Sequence, residues 1–212
     1  MTRVLTLLLA AAAAAGAVTV SGEMTFSTED LLYTAIDGMT AVGLKGYASG
    51  WETGAPSLPV ATAQLVVPQG MKVTGVRLDA FESEALDGEF DIYPVQPPVP
   101  LSSVEAPEYV PPDPQYYGLT EYPVQVVTAG HQGSMSGYNI ASVFVAPVQY
   151  RPAEKKLVFH PRVSFTLELE PAELDYAPLH NRTEEARQRI EELLAGIVVN
   201  PGDIASYRPV TE

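Results

Sequence analysis

The feature that most constrains the fold of this chain is a strict two-residue alternation in its last third. In the stretch "RVSFTLELE" (Arg162–Glu170), apolar side chains stand at every second position, namely Val163, Phe165, Leu167 and Leu169. Successive side chains of a β-strand point to opposite faces, so this spacing predicts a strand with one buried and one solvated face. Because antiparallel sheets commonly leave one face in water, the stretch favours an antiparallel architecture.

Shorter apolar runs, bounded by glycine and proline, predict further strands. We place these strands within Ala63–Val67, Gly88–Val95, Val124–Thr128, Tyr138–Val145 and Leu157–Phe159. The glycine-containing stretch Gly130–Gly137 is predicted to be a flexible loop between two of them. The stretch Pro94–Pro114 holds eight prolines and is predicted to be an extended connector outside the sheets, because proline lacks a backbone donor.

One helix is predicted, close to the C-terminal end. Asn181 or Thr183 can cap it, and Gly196 is placed to end it. The apolar side chains form one stripe at helical spacing, made of Ala186, Ile190, Leu193 and Leu194. Many strands followed by one helix predict a mainly β fold, an antiparallel β-sandwich of eight to ten strands with one C-terminal α-helix.

The first residues have the pattern of an export signal. Arg3 precedes the apolar run Val4–Val18, and "AGA" (Ala15–Ala17) offers a small-residue cleavage pattern. We therefore predict a signal peptide over residues 1–20 and a secreted, periplasmic or cell-surface location. The β-sandwich is predicted over 24–175, with a helix and a linker toward a downstream domain over 176–212.

Charge and cysteine content exclude several classes of protein. The formal net charge is −14, which disfavours nucleic acid or an anionic membrane as a partner once the signal is removed. The chain has no cysteine, so it is not a small scaffold held together by disulfides, and it cannot provide a cysteine nucleophile.

A search for catalytic or metal-binding patterns gives little. His131, His160 and His180 are far apart in the sequence and lack neighbouring ligands at metal spacing. Glu168 and Glu170 follow the alternation of a solvated strand face, which explains them without catalysis. We expect no enzymatic activity, no metal and no cofactor in this chain.

A family resemblance begins in "VFVAPVQYRPAEKKLVFHPRVSFTLEL" (Val143–Leu169). It resembles the propeptide of gingipain-type cysteine peptidases, in which a strand ends at proline and Gln-Tyr, a turn follows, and a strand with leucine and an aromatic residue returns. The matching positions are Pro147, Gln149, Tyr150, Pro152, Leu157 and Phe159. Similar blocks occur at Gly54–Val60, Val66–Val73, Tyr122–Val127 and Val198–Pro209.

This resemblance implies an exported precursor whose N-terminal β-sandwich assists folding and keeps a downstream or cognate cysteine peptidase latent. Latency would come from a loop that occupies the active cleft. We expect this inhibitory loop within "GHQGSMSG" (Gly130–Gly137), with the candidate residues Gln132, Gly133, Ser134, Met135, Ser136 and Gly137. Many relatives are expected to carry arginine where Ser136 stands, so the specificity of the peptidase is left open.

Two other classes of function remain open at this point. A secreted β-sandwich binding or adhesion module would need an exposed aromatic surface, for which Trp51, Tyr116 and Tyr117 are candidates. A small exported hydrolase would need polar groups that converge in a pocket.

Overall fold

The computed structural model describes residues 19–50, 52–99, 108–173 and 183–207. The strands in this part of the chain are β1 (Val20–Thr25), β2 (Leu31–Ile36), β3 (Met39–Leu44), β4 (Ala48–Ser49), β5 (Pro59–Val66), β6 (Met71–Phe81), β7 (Glu84–Ala85), β8 (Val127–Met135), β9 (Tyr138–Val145), β10 (Val148–Arg151), β11 (Lys156–Phe159) and β12 (Arg162–Pro171). The helices are α1 (Pro114–Tyr117), α2 (Glu184–Ala195) and two 3-10 segments, Thr28–Asp30 and Pro201–Ser206.

Two antiparallel sheets pack face to face around the main core. One sheet has the strand order β1-β12-β6, and the other has the order β4-β5-β9-β8. Val163, Phe165 and Leu167 of β12 are buried against residues of β5, β8 and β9, which places the alternating face as predicted. The predicted antiparallel β-sandwich with a C-terminal helix is therefore confirmed.

A second core lies beside the sandwich, under the short strands. The sheet β10-β11-β7 and the hairpin β2-β3 contribute to it. Its fully buried residues are Val42, Leu58, Ile92, Val148, Tyr150, Leu157 and Phe159. The stretch Val143–Leu169 therefore belongs to both cores, because β9 and β12 enter the first and β10 and β11 the second.

A third core forms on the outer face of β5 and β9, where the C-terminal segment covers the sheet. Its buried residues are Val66, Tyr138, Leu194, Val198, Ile204 and Tyr207. Thr183 caps α2 as predicted, because its hydroxyl oxygen accepts a hydrogen bond from the N–H of Ala186. Gly196 closes the helix at the predicted position.

Several local predictions were wrong, three of which follow. The stretch Gly88–Val95 forms only isolated bridges, because its backbone donors bond to unrelated partners: Phe90 to the carbonyl of Lys155, and Tyr93 to that of Thr40. A short helix, α1, also forms where only a connector was expected, since Asp113 caps it and Pro114 stands at its first position. The third error, at β8, concerns the candidate site.

Several predictions fall outside the described residues. These are the signal segment up to residue 18, Trp51, positions 100–107 of the proline-rich connector, His180 and the alternative cap Asn181. No helix within the described ranges is long and apolar enough to cross a membrane.

Candidate functional site

The stretch predicted to be a flexible loop is instead a paired hairpin. Strand β8 runs through to Met135 and pairs with β9, so only Ser136 and Gly137 form the turn. Both turn residues are left-handed, with φ of 53° and 86°. Such a two-residue turn matches the twist of the flanking strands, so pairing can continue up to the turn.

Glycine is required where the hairpin is irregular. The register of β8 against β9 shifts between Ala129 and Gln132. A Cβ at Gly130, within this irregularity, would lie 2.9 Å from the ring of Phe144 and 3.1 Å from the carbonyl oxygen of Ser142. Glycine at this position therefore allows β8 to approach β9 closely, which is a structural use of the residue.

Gln132 ties the hairpin to the opposite sheet. Its Oε1 accepts a hydrogen bond from the N–H of Val73 at 2.8 Å, and its Nε2 donates to the carbonyl oxygen of Met71 at 2.9 Å. Its Nε2 also donates to Oδ1 of Asn139 at 2.9 Å. This side chain is held by three polar partners inside the fold, so it is not available to enter another protein's cleft.

The exposed part of the predicted inhibitory segment is its tip. Gln132 and Gly133 are half-buried, whereas Ser134, Met135 and Ser136 are exposed. Met135 is 39% exposed, which is high for a large apolar side chain. The structure thus divides the six candidates into a supporting pair and a projecting tip that consists of Ser134, Met135, Ser136 and Gly137.

The C-terminal segment is fixed at the base of the same hairpin. Tyr138, the first residue of β9, is fully buried, and its ring lies 4.9 Å from that of Tyr207. The hydroxyl of Tyr207 donates to the carbonyl oxygen of Val67 at 2.5 Å and accepts from the N–H of Asn139 at 2.8 Å. The last described residue therefore lies beside the hairpin, and the chain continues from this corner.

Asn200 anchors the segment to the edge of β5. Its Nδ2 donates to the carbonyl oxygen of Val66 at 2.9 Å, and its Oδ1 accepts from the N–H of Val66 at 2.8 Å. Next to it, the N–H of Val199 donates to the carbonyl oxygen of Gln64. The side-chain amide thus extends the strand pairing, and the peptide from Val198 to Asn200 acts as a short additional strand on the edge of β5.

Four of the six positions that carry the family pattern make polar contacts within the fold, namely Pro147, Gln149, Tyr150 and Pro152. Tyr150 is buried and donates its hydroxyl proton to the carbonyl oxygen of Phe90 at 2.8 Å. The carbonyl oxygen of Pro147 accepts from the N–H of His160, and that of Pro152 accepts from the N–H of Lys155 within the turn. All of these hydrogen bonds join residues of this domain to one another.

The fourth position, Gln149, forms a buried polar pair with His160. The Nε2 of Gln149 donates to the carbonyl oxygen of Pro123 at 2.7 Å, which directs its Oε1 toward Nε2 of His160, also at 2.7 Å. Burial lowers the pKa of His160, and this effect exceeds the opposing effect of the Glu82 carbonyl at Nδ1. The pair links β10 to the end of β11 and is structural.

The geometry gives little support to the catalytic or adhesive alternatives. Among the described residues, no group of three or more His, Asp or Glu side chains is placed to hold a metal ion. Tyr117 is half-buried and donates its hydroxyl proton to the carbonyl oxygen of Ile92 at 2.6 Å, so it does not offer a free aromatic surface. Tyr116 packs edge-on against Tyr122.

These features define a class of protein: a disulfide-free antiparallel sandwich that presents a rigid hairpin beside the place where its chain continues. The sequence matches the family described as Propeptide_C25 over residues 40–189, so the chain belongs to that family. It is a propeptide domain and not itself a catalytic one, as predicted.

Solved structures of low sequence identity have the same fold. One comes from work on the zymogenic latency of gingipain K from Porphyromonas gingivalis, with a TM-score of 0.58 and 20% identity over 73% of this chain and 88% of that chain. Another is the complex of the pro- and mature domains of RgpB from the same organism, with a TM-score of 0.61 and 18% identity over 87% of this chain and 92% of that chain. No curated protein sequence matches the chain.

Proposed function

We propose that this chain is the N-terminal propeptide of a gingipain-type cysteine peptidase precursor and that it keeps the peptidase latent. The observation that carries the proposal is the family match over residues 40–189. The shared fold with the propeptide in the RgpB complex adds support, because that propeptide is bound to a mature peptidase domain. The partner is then the peptidase domain of the same precursor, and the location is outside the cytoplasm.

The hairpin tip is the best candidate for the inhibitory element. It projects from a frame held by Gln132, and its turn is closed by β-pairing of Met135 with Tyr138. A peptidase cleaves a segment that lies extended in its cleft. A tight turn cannot extend unless the hairpin opens, so the tip blocks the cleft without presenting a cleavable bond.

The experiment that tests this function is inhibition of the separately purified peptidase domain by the isolated propeptide. We expect tight inhibition by the natural sequence and weaker inhibition by Met135→Ala. The matched control is Leu32→Ala, because Leu32 is also an exposed apolar residue on a hairpin whose two turn residues, Asp37 and Gly38, are both left-handed. Absence of any inhibition by the natural sequence would contradict the function itself.

A point substitution is a better test of the tip than a deletion. Removing Gln132–Ser136 would also remove the three hydrogen bonds of Gln132, so loss of inhibition could reflect loss of the fold. Met135→Ala leaves that network in place. If Met135→Ala inhibits as well as the natural sequence, the tip is not the inhibitory element, although the chain could still be the propeptide.

A further inference from the structure

The C-terminal end of helix α2 has apolar side chains on two sides, and only one side packs against the sandwich. Leu194 is fully buried in the third core, and Ile190 packs beside it. Leu193 and Ile197, which are four residues apart, face solvent with 57% and 42% of their surfaces exposed. Leu193 lies in the last turn of α2, and Ile197 directly follows the C-cap Gly196, so the two form an exposed apolar pair at this end of the helix, the outer stripe.

The outer stripe lies on the element that packs at the corner where the chain continues. Tyr138 joins the two parts, because its hydroxyl donates to Oε1 of Glu191 on α2 while its ring packs against Tyr207. Tyr138 also pairs directly with Met135 of the hairpin tip. The outer stripe, the tip and the last described residue therefore belong to elements that meet around one side chain.

We propose that Leu193 and Ile197 form a second docking surface for the peptidase domain of the same precursor, next to the hairpin tip. This inference rests on the proposed function. The position of Tyr207 favours this occupant, because a domain that follows closely in the chain starts from the corner at which the stripe lies. A distant surface of the sandwich would be harder for that domain to reach.

The charges around the stripe indicate the chemistry of the partner surface. Arg189 is exposed one turn before Leu193, and Glu192 and Glu185 are exposed on the same helix, while the chain as a whole has a formal net charge of −14. The complementary surface is an apolar patch whose rim carries charges of both signs. Complementary charge at such a rim increases the rate of association and selects the partner, while the apolar centre supplies most of the affinity.

The test compares two exposed leucines of nearly equal exposure. Leu193→Gln removes the apolar contact and keeps good helix propensity. Leu32→Gln is the matched control, because Leu32 is 54% exposed and lies on β2, next to the second core. We expect Leu193→Gln to raise the inhibition constant against the purified peptidase domain about tenfold or more, and Leu32→Gln to leave it unchanged.

A second measurement separates a lost contact from a lost fold. Because the chain has no cysteine, Leu193→Cys and Leu32→Cys can each be labelled with one environment-sensitive fluorophore. Adding the peptidase domain should shift the emission of the label at position 193 to shorter wavelength and leave the label at position 32 unchanged. Thermal midpoints of both variants should equal that of the natural sequence.

The outcomes distinguish the inference from the function on which it rests. If the natural sequence inhibits the peptidase, but Leu193→Gln inhibits equally well and the label at 193 does not respond, the docking surface is wrong and the propeptide function stands. If the natural sequence neither binds nor inhibits the peptidase, both are wrong. An equal rise in the inhibition constant for Leu193→Gln and Leu32→Gln would also overturn the inference.

Discussion

At the scale of single residues, the Gln149–His160 pair shows how geometry and burial oppose each other. Gln149 must direct its Oε1 at the imidazole, because its Nε2 is fixed on a carbonyl oxygen. Both ring nitrogens of His160 thus face oxygen acceptors, those of Gln149 and Glu82. A second proton would satisfy both contacts, but burial disfavours the charged ring and lowers its pKa.

The lowered pKa predicts acid destabilisation at this position. The pKa of His160 in the folded state lies below the ordinary value of 6.5, so the unfolded state binds the proton more strongly. The contribution of neutral His160 to the free energy of unfolding is complete above pH 6.5. It is lost as pH falls from there through the folded-state pKa. Urea unfolding of the natural sequence should show this loss, after comparison with a variant that cannot titrate.

His160→Gln is that variant, since its Nε2 can still donate to Oε1 of Gln149. We expect it to be less stable near pH 7.5 by about 1 kcal/mol, because the contact with Glu82 is lost. The difference in the free energy of unfolding between this variant and the natural sequence should shrink as pH is lowered. His131→Gln removes a histidine at an exposed position, so it should leave the free energy of unfolding near pH 7.5 unchanged. Parallel profiles for His160→Gln and the natural sequence would show that His160 has the same pKa in the folded and unfolded states, which would contradict the prediction.

Residue patterns also explain why the hairpin was predicted as a loop. Glycine has low strand propensity, and "GHQGSMSG" also lacks the apolar alternation that identified β12. Its strand conformation comes from pairing with β9 and from the bonds of Gln132 to β6, which are contacts between residues distant in sequence. Similarly, the sequence around Asn200 does not reveal that its side chain forms hydrogen bonds with the backbone of Val66.

At the scale of elements, those with a buried face at regular spacing were predictable. Strand β12, strand β9 and helix α2 each bury one side against a neighbour, and the spacing of their apolar residues records this. A segment whose backbone hydrogen bonds go to several different elements was not predictable, and Gly88–Val95 is the example. The stripe of α2 was predicted to include Leu193, but that side chain lies on the outer side.

The first strand gives a prediction about the N-terminal boundary. Val20 is only 2% exposed in the main core, and β1 pairs with β12 from Val20 opposite Leu167 to Thr25 opposite Arg162. Gly22 lies under Phe165, since a Cβ there would approach its ring to 2.9 Å. A sandwich that begins at residue 24 would therefore lack most of an edge strand.

We expect a chain beginning at Met24 to be less stable than one beginning at Val18 by about 2 kcal/mol or more, because it loses the burial of Val20 and several backbone hydrogen bonds. The free energy of unfolding in urea measures the difference. Val20→Ala in the longer chain serves as a control that removes only the side-chain contribution. Equal stability of the two chains would mean that β1 contributes nothing and that a boundary at residue 24 is adequate.

At the scale of the whole molecule, the sheet β4-β5-β9-β8 is the middle layer of the domain. Its inner face forms the main core with β12, and part of its outer face is covered by α2 and by the segment that ends at Tyr207. This arrangement makes the C-terminal segment part of the domain instead of a free linker. The position of Tyr207, the last described residue, is consequently set by the fold.

Asn200 is the residue at which this arrangement can be loosened with a minimal change. In Asn200→Asp the carboxylate cannot donate to the carbonyl oxygen of Val66, and it lies beside Asp203, whose Oδ2 now accepts from Nδ2 of Asn200 at 2.7 Å. We expect a loss of about 1–3 kcal/mol in the free energy of unfolding. Hydrogen exchange should accelerate at the amides of Val66 and Val199, because both bond across this junction.

The control is Asp203→Asn, which keeps an oxygen acceptor for Asn200 and should leave exchange at Val66 unchanged. If the following domain is held in place by the docked segment, Asn200→Asp should also speed activation of the full precursor, because the peptidase can then move away from the hairpin tip. Faster exchange with an unchanged rate of activation would mean that docking of this segment does not restrain the peptidase.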